Sequence, residues 1–266
     1  MKTAFTTYST PAWDIERIVA AAVLYGYQGL EFRMLAGQPL APDIPADRRR
    51  RIKHLCDSNG LDICVVGSGC RFSSSDPAER SKNVEQLRGF IDLAVEWEAP
   101  VVRIFGGVHP QGVPAETVYD YVAESIAEAI PHAVQAGVLL AIETHDDFRS
   151  SRAVEAIFQR VPSPALRCVW DILHPYRAGE VYTETYSRIR EKVVHVHFKD
   201  ARRSGPNWEA TMPDDGELPL AEIVEALRRD GYEGYLSLEY EGRDDPERAL
   251  RLFAKKLSEL VPESRP

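Results

Sequence analysis

Short apolar runs alternate with longer amphipathic stretches along the whole chain. Eight runs rich in β-branched and aliphatic residues read as strands: Thr3–Tyr8, Gly29–Arg33, Leu61–Val66, Val101–Gly106, Val138–Thr144, Leu166–Asp171, Val193–Phe198 and Tyr235–Glu239. Between them, apolar residues recur at helical spacing. Examples are Ile15, Ile18, Val19 and Ala22; Val84, Leu87, Phe90 and Ile91; Val118, Val122, Ile126 and Ala129; Ile223, Ala226 and Leu227; and Leu250, Phe253, Ala254 and Leu257. Gly26, Gly60, Gly137 and Gly231 each stand between a helical stripe and the next strand, where a helix needs a left-handed closing residue. Runs such as VLLAIET and VVHVHF are apolar almost throughout, as parallel strands covered on both faces must be. Eight β/α alternations with no linker predict one α/β domain over residues 1–266, a closed (β/α)₈ or TIM barrel. The alternative is an open doubly wound sheet. It normally carries a glycine-rich phosphate turn after its first strand, and YSTPAWD has no glycine there.

Length agrees: 266 residues suit a single barrel, for which about 250 is typical. Lys+Arg 32 against Asp+Glu 41 leaves a net charge of −9, which argues against nucleic acid or an anionic membrane as partner. A local basic cleft remains compatible with that total. No stretch approaches the ~20 apolar residues of a spanning helix, and MKTAFTTYSTPAWD lacks the apolar run of a secretory signal. Cys56, Cys64, Cys70 and Cys168 are scattered without a CxxC pair, so buried, reduced thiols and a cytoplasmic location are expected.

A barrel brings the C-terminal ends of its strands to one mouth, so chemistry is sought there. The first four ends offer one strong acid, Glu31. The last four each end an apolar run with an ionisable residue: Glu143 in LLAIETH, Asp171 in RCVWDILHP, His197 in VVHVHFKD and Glu239 in YLSLEYEG. A carboxylate after a strand is commonly a helix cap or an ion-pair partner. Three carboxylates and an imidazole converging in one mouth are costly to bury without a counter-charge, and one divalent cation would supply it. Such oxygen-rich ligation with one histidine favours Mn²⁺, with Mg²⁺, Co²⁺ or Zn²⁺ as alternatives. His195 shares a strand face with His197 and is expected one layer deeper, as a packed core imidazole.

The segments LLAIETH, VWDILHP, HVHFKD and LSLEY, with VVRIFGG and the closing GYEGYLSLEYEG, resemble the sugar phosphate isomerase/epimerase superfamily of xylose isomerase-like TIM barrels. They are similar in particular to the metal-dependent ketose 3-epimerases. The resemblance implies one divalent metal held by Glu143, Asp171, His197 and Glu239, with Glu143 and Glu239 also moving the proton. It implies that His174 and Arg203 grip substrate oxygens, with His145 beside them at the mouth. The chemistry is coherent. A proton α to a carbonyl is weakly acidic, a metal steadies the resulting enediolate, and two carboxylates can take the proton from one face and return it to the other. A small sugar or polyol is the expected partner, in a homo-oligomer of two or four chains. Lys199 reads equally as a structural ion-pair partner.

Trp13, Glu31, Arg33, Cys70, Arg71, Phe72 and His109 are expected to shape the pocket. Arg33 and Arg71 could meet a phosphate or carboxylate, although surface ion pairing is commoner. The turn-rich segment Ala201–Gly216 with Trp208 reads as a lid or an inter-subunit loop. Three other functions compete. A lyase would use the same base to expel water from a keto-inositol or dehydroshikimate-type substrate. An abasic-site endonuclease fits the D-x-x-H pair of Asp171 and His174, but it needs further histidines, and PDDGEL near 214 supplies none. A retired, non-catalytic barrel has no physical reason to keep three carboxylates together.

Overall fold

The structure, a computed structural model, describes residues 1–242 and 245–261. All eight expected strands form: β1 (Lys2–Thr6), β2 (Gly29–Phe32), β3 (Asp62–Arg71), β4 (Val101–Phe105), β5 (Leu139–Glu143), β6 (Leu166–Asp171), β7 (Val193–Phe198) and β8 (Tyr235–Leu238). Each pairs in parallel with its neighbours in sequence, and β8 closes on β1 through Lys2–Tyr235 to Phe5–Leu238. The architecture is the (β/α)₈ barrel that the alternation dictates.

The principal covering helices are α1 (Ile15–Tyr25), α2 (Ala46–Ser58), α3 (Pro77–Glu96), α4 (Ala115–Ala136), α5 (Ser151–Arg160), the short α6 (His174–Arg177), α7 (Tyr182–Ile189), α8 (Leu220–Arg229) and α9 (Pro246–Leu260). Helix α1 shows the local logic. Asp14 caps it by accepting from the Arg17 N–H, Ile15, Ile18, Val19 and Ala22 face the strands, and Gly26 ends it at φ 76°.

Two apolar shells result. The large one fills the space between strands and helices. A small one, Ala4, Cys64, Val65, Val101, Ala141 and Val169, plugs the barrel interior beneath the mouth. All four cysteines are free and buried. Among the described residues no helix is long and apolar enough to cross a membrane.

Two segments differ from expectation. Strand β3 continues past Val66 through Gly67, Ser68 and Gly69 to Arg71, with an irregular register against β4. A Cβ at Gly67 would lie 3.1 Å from Arg103 Nη2, so the glycine makes room for a buried guanidinium. The segment 201–216, expected as a lid or inter-subunit loop, is mostly an antiparallel hairpin of Asp200–Ser204 on Asn207–Thr211. Gly205 supplies the positive φ, 60°, that such a tight turn requires. The Asp200 carboxylate ties the hairpin down by accepting the N–H groups of Ala201, Asp214, Gly216 and Leu218 at 2.8–3.2 Å.

Candidate active site

Inward parity assembles the site. Alternate residues of a barrel strand face the interior, so Glu143 shares a face with Ala141, Asp171 with Val169, and His197 with His195. Ligand-type atoms of Glu143, Asp171, His197 and Glu239 lie within 4.8 Å of one another, and all four residues are buried. Asp171 does two jobs. Its Oδ1 accepts the backbone N–H groups of Leu173 and His174 at 2.8 and 3.0 Å, which starts α6 and swings His174 over the mouth. Its Oδ2 stays in the cluster, 3.6 Å from His174 Nε2.

Hydrogen bonding fixes both imidazoles. Arg177 Nη1 donates to His174 Nδ1 at 3.0 Å, and a guanidinium can only donate, so the His174 proton sits on Nε2, facing the cluster. Burial pushes the His174 pKa down to about 4, against the pull of Asp171, so the ring is neutral near pH 7. In metal-free protein, the His174 ring signals should titrate with a midpoint near 4 by two-dimensional NMR. A midpoint near the ordinary ~6.5 would contradict the buried, neutral donor.

Beneath His197 lies Glu31, fully buried on β2. Its Oε2 accepts from His197 Nε2 at 2.9 Å and from His195 Nε2 at 3.1 Å. This leaves His197 Nδ1 aimed at the carboxylates, 3.2 Å from Glu143 Oε1 and 3.3 Å from Glu239 Oε2. Burial alone would push the His197 pKa down. Glu239, Glu31 and Glu143 outweigh it and hold the ring well above its ordinary value.

The carboxylates are not bare. Arg33 Nη1 is 2.7 Å from Glu239 Oε1, and Lys199 Nζ is 2.5 Å from Glu239 Oε2 and 2.6 Å from Asp171 Oδ2. Arg103, fully buried on β4, donates to the Ser68 carbonyl at 2.7 Å, and its Nε lies 3.3 Å from Glu143 Oε2. Burial would raise all three carboxylate pKa values. His197 and Arg103 hold Glu143 below the ordinary range; His174 and Lys199 do so for Asp171; His197, Lys199 and Arg33 do so for Glu239. The protein thus supplies its own counter-charges, and charge balance by itself no longer calls for a metal.

The donor set fits one nevertheless. His174 Nε2 is buried without a hydrogen-bond partner, whereas Asp171 Oδ2 and Glu143 Oε2 have ion-pair contacts to Lys199 and Arg103. A buried donor without a partner is rare in a folded interior and points to a ligand that would complete it. Three carboxylates and an imidazole nitrogen within 4.8 Å of one another form an oxygen-rich set suited to a hard or borderline divalent ion.

The other expected residues lie around or away from this cluster. His145 lies at the rim, its Nδ1 2.9 Å from Asp146 Oδ1 and its ring 4.6 Å from that of His174. Arg203 does not join the cluster: it is exposed on the hairpin, its guanidinium 5.3 Å from the Trp208 ring. His195 is buried as expected, although it also shares Glu31 with His197. Of the pocket-shaping residues, Cys70 and Phe72 belong to the core, Arg71 pairs with Asp146, and Arg33 enters the site itself. Arg103 was missed. Its signal was a lone arginine inside the apolar run VVRIF, which in a buried parallel strand has to find an anion.

Residues 19–260 match the family described as xylose isomerase-like TIM barrel. Fructoselysine 3-epimerase of Shigella flexneri is 26% identical over 277 residues, covering 99% of each chain. Inosose dehydratase of Lacticaseibacillus casei is 28% identical over 263 residues, covering 88% of this chain and 84% of that one. Among solved structures, an IolI protein with a bound zinc atom superposes with a TM-score of 0.84 at 16% identity, covering 100% of this chain and 99% of that one.

Proposed function

The chain belongs to the xylose isomerase-like TIM-barrel family, and from that premise we propose that it is a divalent-metal-dependent epimerase or isomerase of a ketose or related keto-polyol. One observation carries the reading: the four strand-end donors converge within 4.8 Å of one another in a fully buried cluster. Glu143, Asp171, His197 and Glu239 would hold the ion, with Mn²⁺ first and Mg²⁺, Co²⁺ or Zn²⁺ as alternatives. When bound, the ion supplies Lewis-acid stabilisation of charge developing on substrate oxygens.

The chain's own residues do the rest. Glu143 and Glu239 approach the cluster from β5 and the end of β8, so one can take the proton α to the carbonyl while the other returns it to the opposite face or the neighbouring carbon. His174 Nε2–H, neutral and fixed by Arg177, donates to a substrate oxygen as negative charge grows on it. Glu31 keeps His197 in one tautomer, and Arg33, Arg103 and Lys199 hold the carboxylates in place.

A second reading is favoured by the similarity to inosose dehydratase: the same proton removal followed by loss of a β-hydroxyl as water. A screen of ketoses and cyclic keto-polyols with Mn²⁺, Mg²⁺ and Co²⁺, read by carbon NMR, separates the two. Products isomeric with substrate support the epimerase; a dehydrated product overturns it in favour of the lyase. Protein purified without chelator should carry about one divalent ion per chain by elemental analysis. Three ions per chain would revive the nuclease.

A further inference from the structure

Beyond the four-donor cluster, the mouth opens into two neighbouring clefts. The inner one, about 440 Å³, is lined by Lys199, Arg177, Trp208, Glu209 and Glu241. The outer one, about 580 Å³, is lined by Arg149, Arg177, Arg203, Tyr176 and Trp208, with no acidic residue in its wall. Arg177 and Trp208 line both, so the clefts share a wall. Three guanidinium groups around one cavity are out of character for a chain of net charge −9.

Nor are two of these arginines spent on ion pairs. Among the described residues no carboxylate lies within 4.0 Å of the Arg177 or Arg203 guanidinium; Arg149 has one contact, 3.7 Å to Asp147. Arg177 uses Nη1 on His174, and Arg203 lies over Trp208, whose ring packs edge-on to Tyr176. Guanidinium forks around one cavity with aromatic walls, two of the three without a carboxylate partner, are the chemistry that recognises a carboxylate or a phosphate. One imidazole ring, His174, separates Arg177 from the Asp171 carboxylate.

We propose that the outer cleft is a subsite for an anionic group, carboxylate or phosphate, carried by the substrate away from its reacting carbonyl. The inference rests on reading the mouth as the substrate pocket of a ketose-converting enzyme. It gives Arg203 a role remote from the metal ligands and adds Arg149 and Arg177 as determinants of specificity.

The test compares the protein as purified on a neutral ketohexose, its 6-phosphate and a ketohexose carrying a carboxylate. One of the anionic substrates should have a kcat/KM at least about 30-fold higher than the neutral one, mostly through KM. Which of them wins identifies the anion. In Arg149→Gln/Arg203→Gln the ratio should fall towards one, and Arg203→Lys should keep part of it. Equal kcat/KM for all three substrates, or a preference that survives the double variant, overturns the subsite and leaves the epimerase reading intact. If no ketose of any kind is turned over, the epimerase reading fails, and calorimetry with inorganic phosphate decides the cleft alone. Millimolar or tighter binding lost in the double variant supports it, whereas no binding, or binding unchanged in that variant, overturns it.

Discussion

Glu143→Gln should retain its divalent ion with modestly weakened affinity and lose turnover by about 10²-fold or more, the ordinary worth of a general base. Glu143 Oε1 faces His197 Nδ1 at 3.2 Å and Oε2 faces Arg103 at 3.3 Å. A glutamine keeps a carbonyl oxygen that can serve the ion, but it cannot take up a proton. Both oxygens of Glu239 face permanently charged side chains, Arg33 and Lys199. Glu239→Gln must point an N–H at one of them, so it should show the same loss of turnover together with reduced stability. In ²H₂O the wild-type enzyme should introduce deuterium next to the carbonyl. Near-normal turnover in a metal-loaded Glu143→Gln enzyme would sink the two-glutamate mechanism.

The barrel was legible because parallel strands covered by helices cannot hide: VLLAIET and VVHVHF admit few other interpretations. Elements with thin apolar faces were harder to see. Helix α2 reads ADRRRRIKHLCDS and buries only Ile52 and Cys56, so no stripe announces it. The extension of β3 through Gly67–Ser68–Gly69 carries no strand propensity, and Gly67 leaves the room that Arg103 occupies. Likewise the hairpin after β7 is held by one carboxylate collecting four N–H groups, a long-range device that turn-rich composition does not reveal.

The site divides along the same line. Strand ends exposed the four acid and imidazole donors, since an ionisable residue closing an apolar run is conspicuous. Their counter-charges were not, because Arg33, Arg103, Lys199 and Glu31 look like ordinary surface or pocket residues until the barrel closes and parity turns them inward. Electroneutrality of the mouth is a property of the closed ring. No single segment contains it.

Lys199 offers the sharpest test of that balance, because its substitution should move folding and metal binding in opposite directions. Its ammonium is buried and touches two carboxylates, Asp171 at 2.6 Å and Glu239 at 2.5 Å. Burial would push its pKa down, but Asp171 and Glu239 overcome that and hold it above the ordinary value. Both partner carboxylates are in turn held low, so the two sides of the interaction agree in sign. Lys199→Met keeps the length and volume of the side chain and removes the charge, leaving buried anions short of compensation. In metal-free protein it should cost about 3–5 kcal/mol by urea denaturation, the usual consequence of breaking a buried pair. In a Glu239→Gln background, where one of the anions is already neutral, the cost should fall by about half. Divalent binding should instead tighten by about tenfold or more, since a cation entering the cluster no longer meets a positive neighbour. Equal destabilisation in both backgrounds, or weaker metal binding in Lys199→Met, would show that Lys199 acts by packing and not by charge.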